Sequence, residues 1–323
     1  MRVFRSLLEA QDAGALRGAA IAIGNFDGVH LGHQRLLETA RALASARGAR
    51  AGVLTFDPHP VRVLRPALAP PLLTPLPRRL ELLADRGMDV AVVQPFDLGY
   101  AATPADEFVA RDLVARLGAA EVVVGYDFTA GHERARVDRL RGLLDEHGLA
   151  LHVVEPVTSD GLVVSSTKIR EFLLEGKVEA AAALLTRPYD VDGEVAPGAG
   201  RGKQFGFPTA NVRTDALLPA NGVYVVRVLV GGRPGAAGFG LEGATAYDGV
   251  CNVGTKPTVT TDGTVVAEAH LFDFEGGDLY GDRIRVAFLR RLRDERRFPS
   301  VEALRAQIAD DVEAARRSLR AEG

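Results

Sequence analysis

Short apolar runs alternate with amphipathic stretches along the first half of the chain. The short runs predict strands, and the stretches between them predict helices because their apolar residues recur at helical spacing. The predicted strands cover residues 19–24, 51–56, 90–93, 122–124 and 151–154. The predicted helices cover residues 33–47, 74–86, 103–117 and 136–146. This alternation predicts a parallel sheet with helices on its faces, and such sheets bind ligands at the carboxyl ends of their strands.

Two of these helices carry start signals. Thr103 is a capping residue, and Pro104 follows it as a residue favoured at the first helical position. Thr74 is the predicted cap of the helix that runs to Arg86. We therefore expect a continuous helix to begin directly after each threonine.

The pattern changes after about Thr186. Short β-rich runs follow one another, separated by Gly, Pro and Asp, which predicts antiparallel pairing in a small barrel or sandwich. These runs cover residues 189–195, 223–230, 250–253, 265–272 and 284–288. Ser300 then caps a closing amphipathic helix that runs to Leu319.

The length of 323 residues is enough for about two domains. Arg187-Pro188 breaks the helical pattern, so we expect an N-terminal domain over residues 1–186 and a C-terminal domain over residues 187–323. Hydrophobic residues make up 47% of the chain and charged residues 25%, which is typical of a globular protein.

Charge and cysteine content exclude several classes of protein. The net charge of −3 argues against a general electrostatic nucleic-acid binder. A single cysteine, Cys251, excludes a disulfide framework and a cysteine-based zinc site. No apolar run reaches about 18 residues, and residues 1–20 lack the apolar core of a signal peptide. We expect a cytoplasmic protein whose partners are small molecules, not nucleic acid or membrane. The sequence leaves the oligomeric state open.

A Gly- and His-rich stretch at residues 24–33 lies between the first predicted strand and the first predicted helix. Gly28 and Gly32 allow the backbone to approach a phosphate closely, and the N–H groups of the following helix point at it. His30 and His33 can donate hydrogen bonds to phosphoryl oxygens as negative charge develops. The alternative is a Gly-rich turn with two surface histidines. We interpret the stretch as a phosphate site because both histidines flank a glycine directly after a strand.

A second phosphate-binding element is the run Ser165-Ser166-Thr167-Lys168-Ile169-Arg170, which follows an extended segment and opens a helix. Its hydroxyl groups, helix N–H groups and two cations suit a triphosphate. Taken alone, Ser and Thr at such a position are more often simple helix caps. Combined with the His-x-Gly-His stretch, the run indicates that a nucleoside triphosphate binds at this first site.

The second half contains a candidate phosphate site of its own at residues 200–211. This stretch begins as a basic, Gly-rich loop and ends in a turn fixed by Pro208. Thr209 and Asn211 are two residues apart, so they face the same side of an extended chain, and their oxygens suit Mg²⁺. Glu268 lies on an alternating run and can accept a proton from a hydroxyl that attacks a phosphate. The alternatives are an ordinary loop beside a strand and a solvated strand glutamate.

Both halves carry the motifs of a known family. The His-x-Gly-His and Ser-Ser-Thr motifs resemble the nucleotidylyltransferase superfamily. Residues 55–60 (Thr-Phe-Asp-Pro-His-Pro) and 124–128 (Val-Gly-Tyr-Asp-Phe) resemble the N-terminal module of the bifunctional bacterial riboflavin kinase/FAD synthetase (FMN adenylyltransferase) family. The second half resembles the riboflavin kinase domain of the same family. Its matching stretches are residues 187–189, 206–211, 222–224, 252–254, 257–258, 268–281, 292–295 and Phe298.

The resemblance implies an α/β nucleotidylyltransferase domain with a Rossmann-like parallel sheet, followed by a small antiparallel β-barrel riboflavin kinase domain with a C-terminal helix. It implies that the second domain transfers a phosphate from ATP to the terminal ribityl hydroxyl of riboflavin, which gives FMN. It implies that the first domain transfers AMP from ATP to FMN, which gives FAD and pyrophosphate. ATP, riboflavin, FMN and FAD are then substrates and products, and Mg²⁺ is the implied cofactor.

The resemblance also implies roles residue by residue. Glu268 is implied as the base of the kinase, and His30 and His33 as the groups that support adenylyl transfer. Thr209 and Asn211 are implied to hold the metal. The residues implied to bind nucleotide are Gly24, Asn25, Phe26, Asp27, Gly28, Ser165, Ser166, Thr167, Arg170, Gly202, Lys203, Gly206 and Pro208. The residues implied to border the flavin are Asp57, Asp127, Phe128, Arg293 and Glu295.

The sequence departs from the family pattern after Phe128. Residues 129–132 (Thr-Ala-Gly-His) stand where Arg-Phe-Gly is usual, and Val137-Asp138 stands where Gly-Asp is usual. Further departures lie at residues 235–247, at Val259 and at Gly276-Gly277. Two alternatives to the bifunctional enzyme therefore stay open. One is a riboflavin kinase whose first domain uses another nucleotide, such as CTP, or has lost activity. The other is a non-catalytic flavin-binding protein.

Overall fold

The computed structural model describes residues 1–197, 207–232, 241–255 and 265–321. The chain forms two compact units. The first consists of Met1–Pro70 and Leu76–Ser165, and the second of Pro71–Pro75 and Ser166–Gly323. The change of sequence pattern at residues 186–187 thus falls within the second unit. The division into domains 1–186 and 187–323 stays a prediction.

A six-stranded parallel sheet forms the centre of the first unit. Its strands are β1 (Arg2–Phe4), β2 (Ala20–Ile23), β3 (Ala51–Asp57), β4 (Val90–Pro95), β5 (Glu121–Gly125) and β6 (Ala150–Val154). The spatial order is β1-β4-β3-β2-β5-β6. Strands β3, β4 and β1 lie on one side of β2, and β5 and β6 lie on the other side. The strand order therefore reverses between β2 and β5, which creates a switch point at the carboxyl end of β2. All five predicted strands are confirmed. The edge strand β1 was not predicted, because three residues are too few to show a period.

Helices surround this sheet, and α2 packs against β2, β3 and β5. They are α1 (Leu7–Asp12), α2 (Leu31–Ala46), α3 (Pro60–Leu64), α4 (Leu76–Asp85), α5 (Leu98–Ala101), α6 (Ala105–Glu107) and α7 (Val137–Asp145). A 3-10 turn covers Pro66–Leu68, and a π-helix covers Phe108–Arg116. A small hairpin, β7 (Thr158–Ser159) and β8 (Leu162–Val163), follows the sheet.

The predicted start signal at Thr103-Pro104 was wrong. Pro104 flanks α6 instead of occupying its first position, and the chain continues from α6 into the π-helix. The N–H of Ala105 donates to the carboxylate of Glu133 at 3.1 Å, so a side chain distant in sequence replaces the cap expected from Thr103. Helix α4 begins at Leu76, and the capping role of Thr74 stays a prediction.

A closed, six-stranded antiparallel barrel forms the second unit, in the order β10-β13-β12-β11-β14-β9. Its strands are β9 (Tyr189–Ala196), β10 (Ala210–Arg213), β11 (Gly222–Val230), β12 (Thr245–Thr255), β13 (Val265–Leu271) and β14 (Arg283–Arg293). The barrel alternative of the sequence prediction is confirmed, and the sandwich alternative was wrong. The short strand β10 was not predicted.

Alternate residues of the barrel strands face its interior. On β13, Ala267, Ala269 and Leu271 are buried, whereas Glu268 and His270 are only half-buried. These two side chains therefore lie on the outer face of the barrel. Helix α10 (Val301–Arg320) packs against the outside and begins with Ser300, whose hydroxyl accepts from the N–H of Ala303 at 3.2 Å. The predicted closing helix is confirmed.

Three further segments pack with the barrel. Helices α8 (Ser166–Leu174) and α9 (Val178–Leu185) precede it, and α9 contacts β9 and β14. The segment Pro71–Pro75 comes from the first half of the chain. Its Leu72 carbonyl accepts from the N–H of Leu217 at 2.8 Å. The buried hydroxyl of Tyr189 lies 3.3 Å from the Leu73 carbonyl. None of the described helices has the length and apolar character needed to cross a membrane.

Candidate functional site

The loop that leaves β2 at the switch point has a strained backbone. Phe26 and Val29 adopt positive φ angles of 52° and 45°, and Gly28 lies between them at 93°. A β-branched residue such as valine strongly disfavours this region. Strained residues of this kind persist only where surrounding contacts enforce them, and they concentrate at functional sites.

Three buried side chains hold the loop in this conformation. The carbonyl of Asn25 accepts hydrogen bonds from the Arg79 guanidinium at 2.6 Å and from the Thr55 hydroxyl at 3.3 Å. The carbonyl of Val29 accepts one from the amide of Gln34 at 2.9 Å. All three donors are buried. Side chains from β3, α4 and α2 therefore fix the path of the loop.

The two histidines of the motif meet at the start of α2. Nδ1 of His30 accepts a hydrogen bond from the backbone N–H of His33 at 3.3 Å, which caps the helix. The two rings stack with their centroids 3.7 Å apart. A Cβ atom on Gly32 would lie only 3.2 Å from the His30 ring, so a larger residue here would push that ring by a few tenths of an ångström. The His-x-Gly-His spacing thus produces a compact pair of imidazoles.

Burial sets the charge of the second imidazole. Desolvation lowers the pKa of His33 well below its usual value, and the neighbouring His30 and Arg79 lower that pKa further. His33 is therefore neutral near pH 7. Its Nδ1 is a buried atom without a hydrogen-bond partner in the part of the chain that the structure describes. A neutral imidazole at this loop carries one ring N–H that can donate a hydrogen bond.

Several implied site residues of the first unit lie at one edge of the sheet. Asn25 and Asp27 follow β2, Asp57 ends β3, and Asp127 and Phe128 follow β5. Because β3, β2 and β5 are adjacent and parallel, their carboxyl ends meet at the same edge. Asp27 is buried, whereas Asp127 is exposed. This edge is where the fold class binds its ligands.

The Ser-Ser-Thr element is divided between the two compact units. Ser165 ends the first unit, and Ser166 begins α8 in the second, together with Thr167 and Arg170. The Nε atom of Arg170 donates to the carbonyl of Pro71 at 2.8 Å. That this element joins the histidines around a triphosphate stays a prediction.

The segment that departs from the family pattern has a structural role at the start of α6. Ala130 and Ala135 pair as a short β-bridge, and the carboxylate of Glu133 binds the N–H of Ala105. Hydrogen bonds from its own backbone N–H and from Ala105 lower the pKa of Glu133. The backbone N–H of His132 donates to the carbonyl of Thr103 at 2.9 Å. The segment that departs from the family pattern is therefore hydrogen-bonded to the residues at the start of α6.

The second candidate site is a row of polar side chains on the outer face of the barrel. Asn211 on β10 lies directly opposite Glu268 on β13. Asn252 on β12 lies opposite Glu268 on the other side. Residues opposite each other in an antiparallel pair have Cβ atoms about 5 Å apart and share one face. Thr209 precedes Asn211 by two residues and continues the same face. The structure thus brings Asn211 and Glu268 together, and the position of Thr209 beside them stays a prediction.

A histidine on the same face contacts the residues just before β10. Nδ1 of His270 lies 2.9 Å from the carbonyl of Pro208, within hydrogen-bond distance. The His270 ring also contacts Phe207 edge-on, with centroids 5.4 Å apart. These contacts position the backbone just before Thr209. Gly202, Lys203 and Gly206, which were implied to bind nucleotide, lie outside the described residues.

The side chains of this row offer oxygen donors of the kind that bind magnesium. Thr209 and Asn211 offer a hydroxyl and an amide oxygen, and Glu268 adds a carboxylate. These are hard oxygen donors, and Mg²⁺ uses few protein ligands when it also contacts phosphates. Within the described ranges, no three His, Cys, Asp or Glu side chains form a metal-holding group. The row fits an ion shared with a nucleotide better than one held by protein alone.

The two residues implied to border the flavin in the second unit have clear partners. The Arg293 guanidinium forms a forked ion pair with Asp311 on α10, with a shortest distance of 2.7 Å. It also lies 5.8 Å from the centre of the Phe298 ring. The carboxylate of Glu295 accepts from the amide of Asn221 at 3.3 Å. Arg293 therefore joins the end of β14 to the closing helix.

Comparison with known proteins assigns both halves. The FAD synthetase family matches residues 12–168, and the riboflavin kinase family matches residues 185–319. A bifunctional riboflavin kinase/FMN adenylyltransferase from Pseudomonas fluorescens is 38% identical over 302 residues, which cover 93% of each chain. The chain belongs to this bifunctional family. The two matched regions contain the histidine loop and the Asn211–Glu268 pair, respectively.

Further relatives of the bifunctional riboflavin kinase/FMN adenylyltransferase family agree. The protein of that name from Bacillus subtilis is 35% identical and covers 92% of this chain and 91% of its own length. A solved structure described as a macrolide-efflux protein from Streptococcus pneumoniae superimposes with a TM-score of 0.82 at 30% identity. It covers 98% of this chain and 99% of its own. The fold is thus shared over nearly the full length.

Sequence reasoning missed the side chains that support the histidine loop. Thr55 lies within a motif that was noted, but Gln34 and Arg79 occupy helix positions with no motif of their own. Arg79 reads as a polar position of an amphipathic helix, although its side chain is fully buried. The sequence signal for a buried arginine was the pair Arg78-Arg79, because two adjacent helix positions point in different directions and cannot both lie at the centre of one polar face.

Proposed function

We propose that this chain phosphorylates riboflavin to FMN and adenylylates FMN to FAD, using ATP in both reactions. The relatives that share both halves of the chain carry the names of these two activities. The observation that carries the kinase half is the direct opposition of Asn211 and Glu268 on neighbouring strands. The observation that carries the adenylyltransferase half is the stacked pair His30 and His33 at the switch point of a parallel sheet.

Glu268 is the proposed base of the kinase reaction. Its carboxylate accepts the proton of the terminal ribityl hydroxyl while that oxygen attacks the γ-phosphorus of ATP. The bond from the γ-phosphorus to the bridging oxygen breaks, and ADP leaves. Thr209 and Asn211 are the proposed holders of Mg²⁺, which when bound neutralises charge on the phosphate oxygens. His270 keeps the carbonyl of Pro208, and hence Thr209, in place.

Adenylyl transfer needs no protein nucleophile. A phosphate oxygen of FMN attacks the α-phosphorus of ATP, and pyrophosphate leaves. Because Nδ1 of His30 accepts a hydrogen bond, its Nε2 carries the proton and can donate to a phosphoryl oxygen. The neutral His33 ring beside it can donate in the same way. Positioning and charge stabilisation by these donors are sufficient to explain the reaction.

The test uses the purified full-length chain with riboflavin or FMN, and chromatography of the flavin products. With ATP and Mg²⁺ we expect riboflavin to give FMN and FAD, and chelation by EDTA to stop the kinase step. Glu268→Gln should abolish FMN formation while FMN is still converted to FAD. His33→Ala should lower FAD formation by about 100-fold while the kinase step is retained. The adenylyltransferase assignment would be overturned if the wild-type chain made no FAD from FMN and ATP but attached CMP to FMN when supplied with CTP.

A further inference from the structure

A fully buried guanidinium lies beneath the histidine loop. The side chain of Arg79 on α4 has no solvent exposure. Its Nη1 atom donates to the Asn25 carbonyl at 2.6 Å, and its Nη2 atom lies 3.5 Å from Oδ1 of Asp57. Asp27 also attracts this charge. A buried charge is expensive unless such partners compensate for it. An apolar side chain would fill the same volume without this cost.

The position of Arg79 connects three parts of the adenylyltransferase site. Asn25 begins the loop, Asp27 lies within it, and Asp57 ends the neighbouring strand β3. The residue after Asn25 is Phe26, the first of the two strained positions. The hydrogen bond from Arg79 therefore fixes the carbonyl just before the backbone enters the left-handed region. No other kind of side chain offers several donors in a rigid planar fork.

The Arg79 charge also reaches the imidazole pair. Its positive field is one cause of the lowered pKa of His33. The Nε atom of Arg79 and Nδ1 of His33 are both buried without a hydrogen-bond partner among the described residues. The guanidinium is therefore held through its Nη1 and Nη2 atoms, which bind the loop and the end of β3.

We propose that Arg79 is a positioning residue for adenylyl transfer, which fixes the loop that carries Asp27 and His30 and supplies positive charge beneath the phosphates. This inference rests on the proposed adenylyltransferase function. Arg79 acts through the loop and its field; it does not need to contact FMN or ATP. Adenylyl transfer should therefore depend on Arg79 much more than the kinase reaction of the same chain does.

The neighbouring residue provides a matched control. Arg78 is also buried on α4 and pairs with Glu81 at 2.7 Å. The two arginines have the same chemistry and nearly the same burial, and Arg79 donates to the Asn25 carbonyl whereas Arg78 forms an ion pair within α4. Replacing each with methionine removes one buried cation from the same helix.

The experiment compares Arg79→Met, Arg79→Lys and Arg78→Met in the full-length chain, with both activities measured on each sample. We expect Arg79→Met to lower kcat for FAD formation on the order of 100-fold with little change in KM. We expect Arg79→Lys, which keeps the charge and one donor, to recover part of that loss. Arg78→Met should keep FAD formation within about threefold of wild type, and riboflavin phosphorylation should hold in all three variants.

The outcomes separate this inference from the proposed function. If the wild-type chain forms no FAD, the adenylyltransferase assignment fails first. If it does, and Arg79→Met keeps its kcat or Arg78→Met loses as much, Arg79 has no positioning role. If Arg79→Met loses its cooperative melting transition, the folded Arg79→Lys variant becomes the test. A kcat for FAD formation equal to that of wild type and of Arg78→Met would contradict the inference. A lowered kcat would support it.

Discussion

Two residues of the histidine loop adopt backbone angles that their types disfavour. Phe26 and Val29 lie in the left-handed region, at a cost of roughly 1–3 kcal/mol each. The buried donors of Thr55, Gln34 and Arg79 hold the carbonyls on either side of this strained stretch. These contacts therefore offset the strain and hold the loop in one conformation. We expect loss of any one donor to alter that conformation.

Replacement of Gln34 tests that sensitivity. Gln34→Leu keeps the volume but leaves the Val29 carbonyl without its 2.9 Å donor. We expect FAD formation from FMN to fall about tenfold and riboflavin phosphorylation to be retained. Gln34→Glu should behave in the same way, because an ionised carboxylate cannot donate. Steady-state kinetics of both reactions measure this. A Gln34→Glu variant with unchanged FAD formation would show that the contact is dispensable.

The protonation of His33 gives the first unit an acid-sensitive component. Burial, then His30 and Arg79, lower the pKa of His33 in the folded chain. In the unfolded chain His33 takes up a proton as the pH falls through about 6.5, whereas folded His33 does not. The unfolded state binds more protons in this window, so stability falls as the pH is lowered.

We therefore expect His33→Asn to weaken the pH dependence of unfolding. In the wild-type chain, the free energy of unfolding should decline from about pH 6.5 downward until the folded-state pKa is passed. The asparagine variant should lack that share of the decline. Denaturant unfolding of both proteins, followed by circular dichroism across this pH range, measures the difference. Parallel curves would contradict the assigned direction.

The closing helix is tied to the barrel by more than apolar packing. Val312, Ala315 and Leu319 of α10 lie against Val223, Val225 and Phe272 of the barrel. At one end of this contact, Arg293 and Gln307 both donate to the nearly buried Asp311. Arg293 ends β14 and borders the polar row through its pairing with Val223. The helix thus fixes the end of the strand.

Loss of this carboxylate should affect the kinase half alone. Asp311→Ala leaves the Arg293 guanidinium without its main partner, and we expect it to destabilise the second unit by about 2 kcal/mol. Riboflavin phosphorylation should be lost at a lower temperature than FAD formation from FMN. Asp310→Ala, which removes an exposed carboxylate from the same helix, is the control. Equal thermal loss of activity in the two variants would contradict this role of Asp311.

The sequence predicted the face of Glu268 on β13, and it named Asn211 as a site residue without predicting strand β10 or its pairing. The alternation around Glu268 fixes its face, since Ala267 and Ala269 had to point the other way. Asn211 lies in a four-residue strand that is too short to show a period. Its opposition to Glu268 depends on a pairing between residues distant in sequence. Such pairings are decided by closure of the barrel, which no local pattern records.

At the scale of the whole molecule, the chain joins two reactions through a shared intermediate. FMN is the product of the proposed kinase and the acceptor of the proposed adenylyltransferase. The order of the sheet strands and the closure of the barrel could not be predicted, because both arise from contacts between distant segments. The motifs that indicate the two reactions are short stretches of consecutive residues, so the sequence alone was sufficient to predict both reactions.

We expect the two activities to complement each other between chains. A mixture of Glu268→Gln and His33→Ala proteins should convert riboflavin to FAD, since FMN made by the second protein can diffuse to the first. FAD should appear after a lag that shortens as the Glu268→Gln protein is increased. Flavin chromatography over time measures this. A mixture that accumulates FMN without FAD would mean that the intermediate is not exchanged.

The segment Pro71–Pro75 has a consequence for synthesis of the protein. It packs with the barrel through Leu72 and Leu73, yet it is encoded long before β9 and β10. On the ribosome, this apolar stretch emerges when its partners Tyr189 and Leu217 have not yet been translated. The nascent chain must carry it unpaired until the second unit follows. A gene fragment that begins after Thr186 would encode a barrel without this piece, and the missing residues would have to be supplied as a separate peptide.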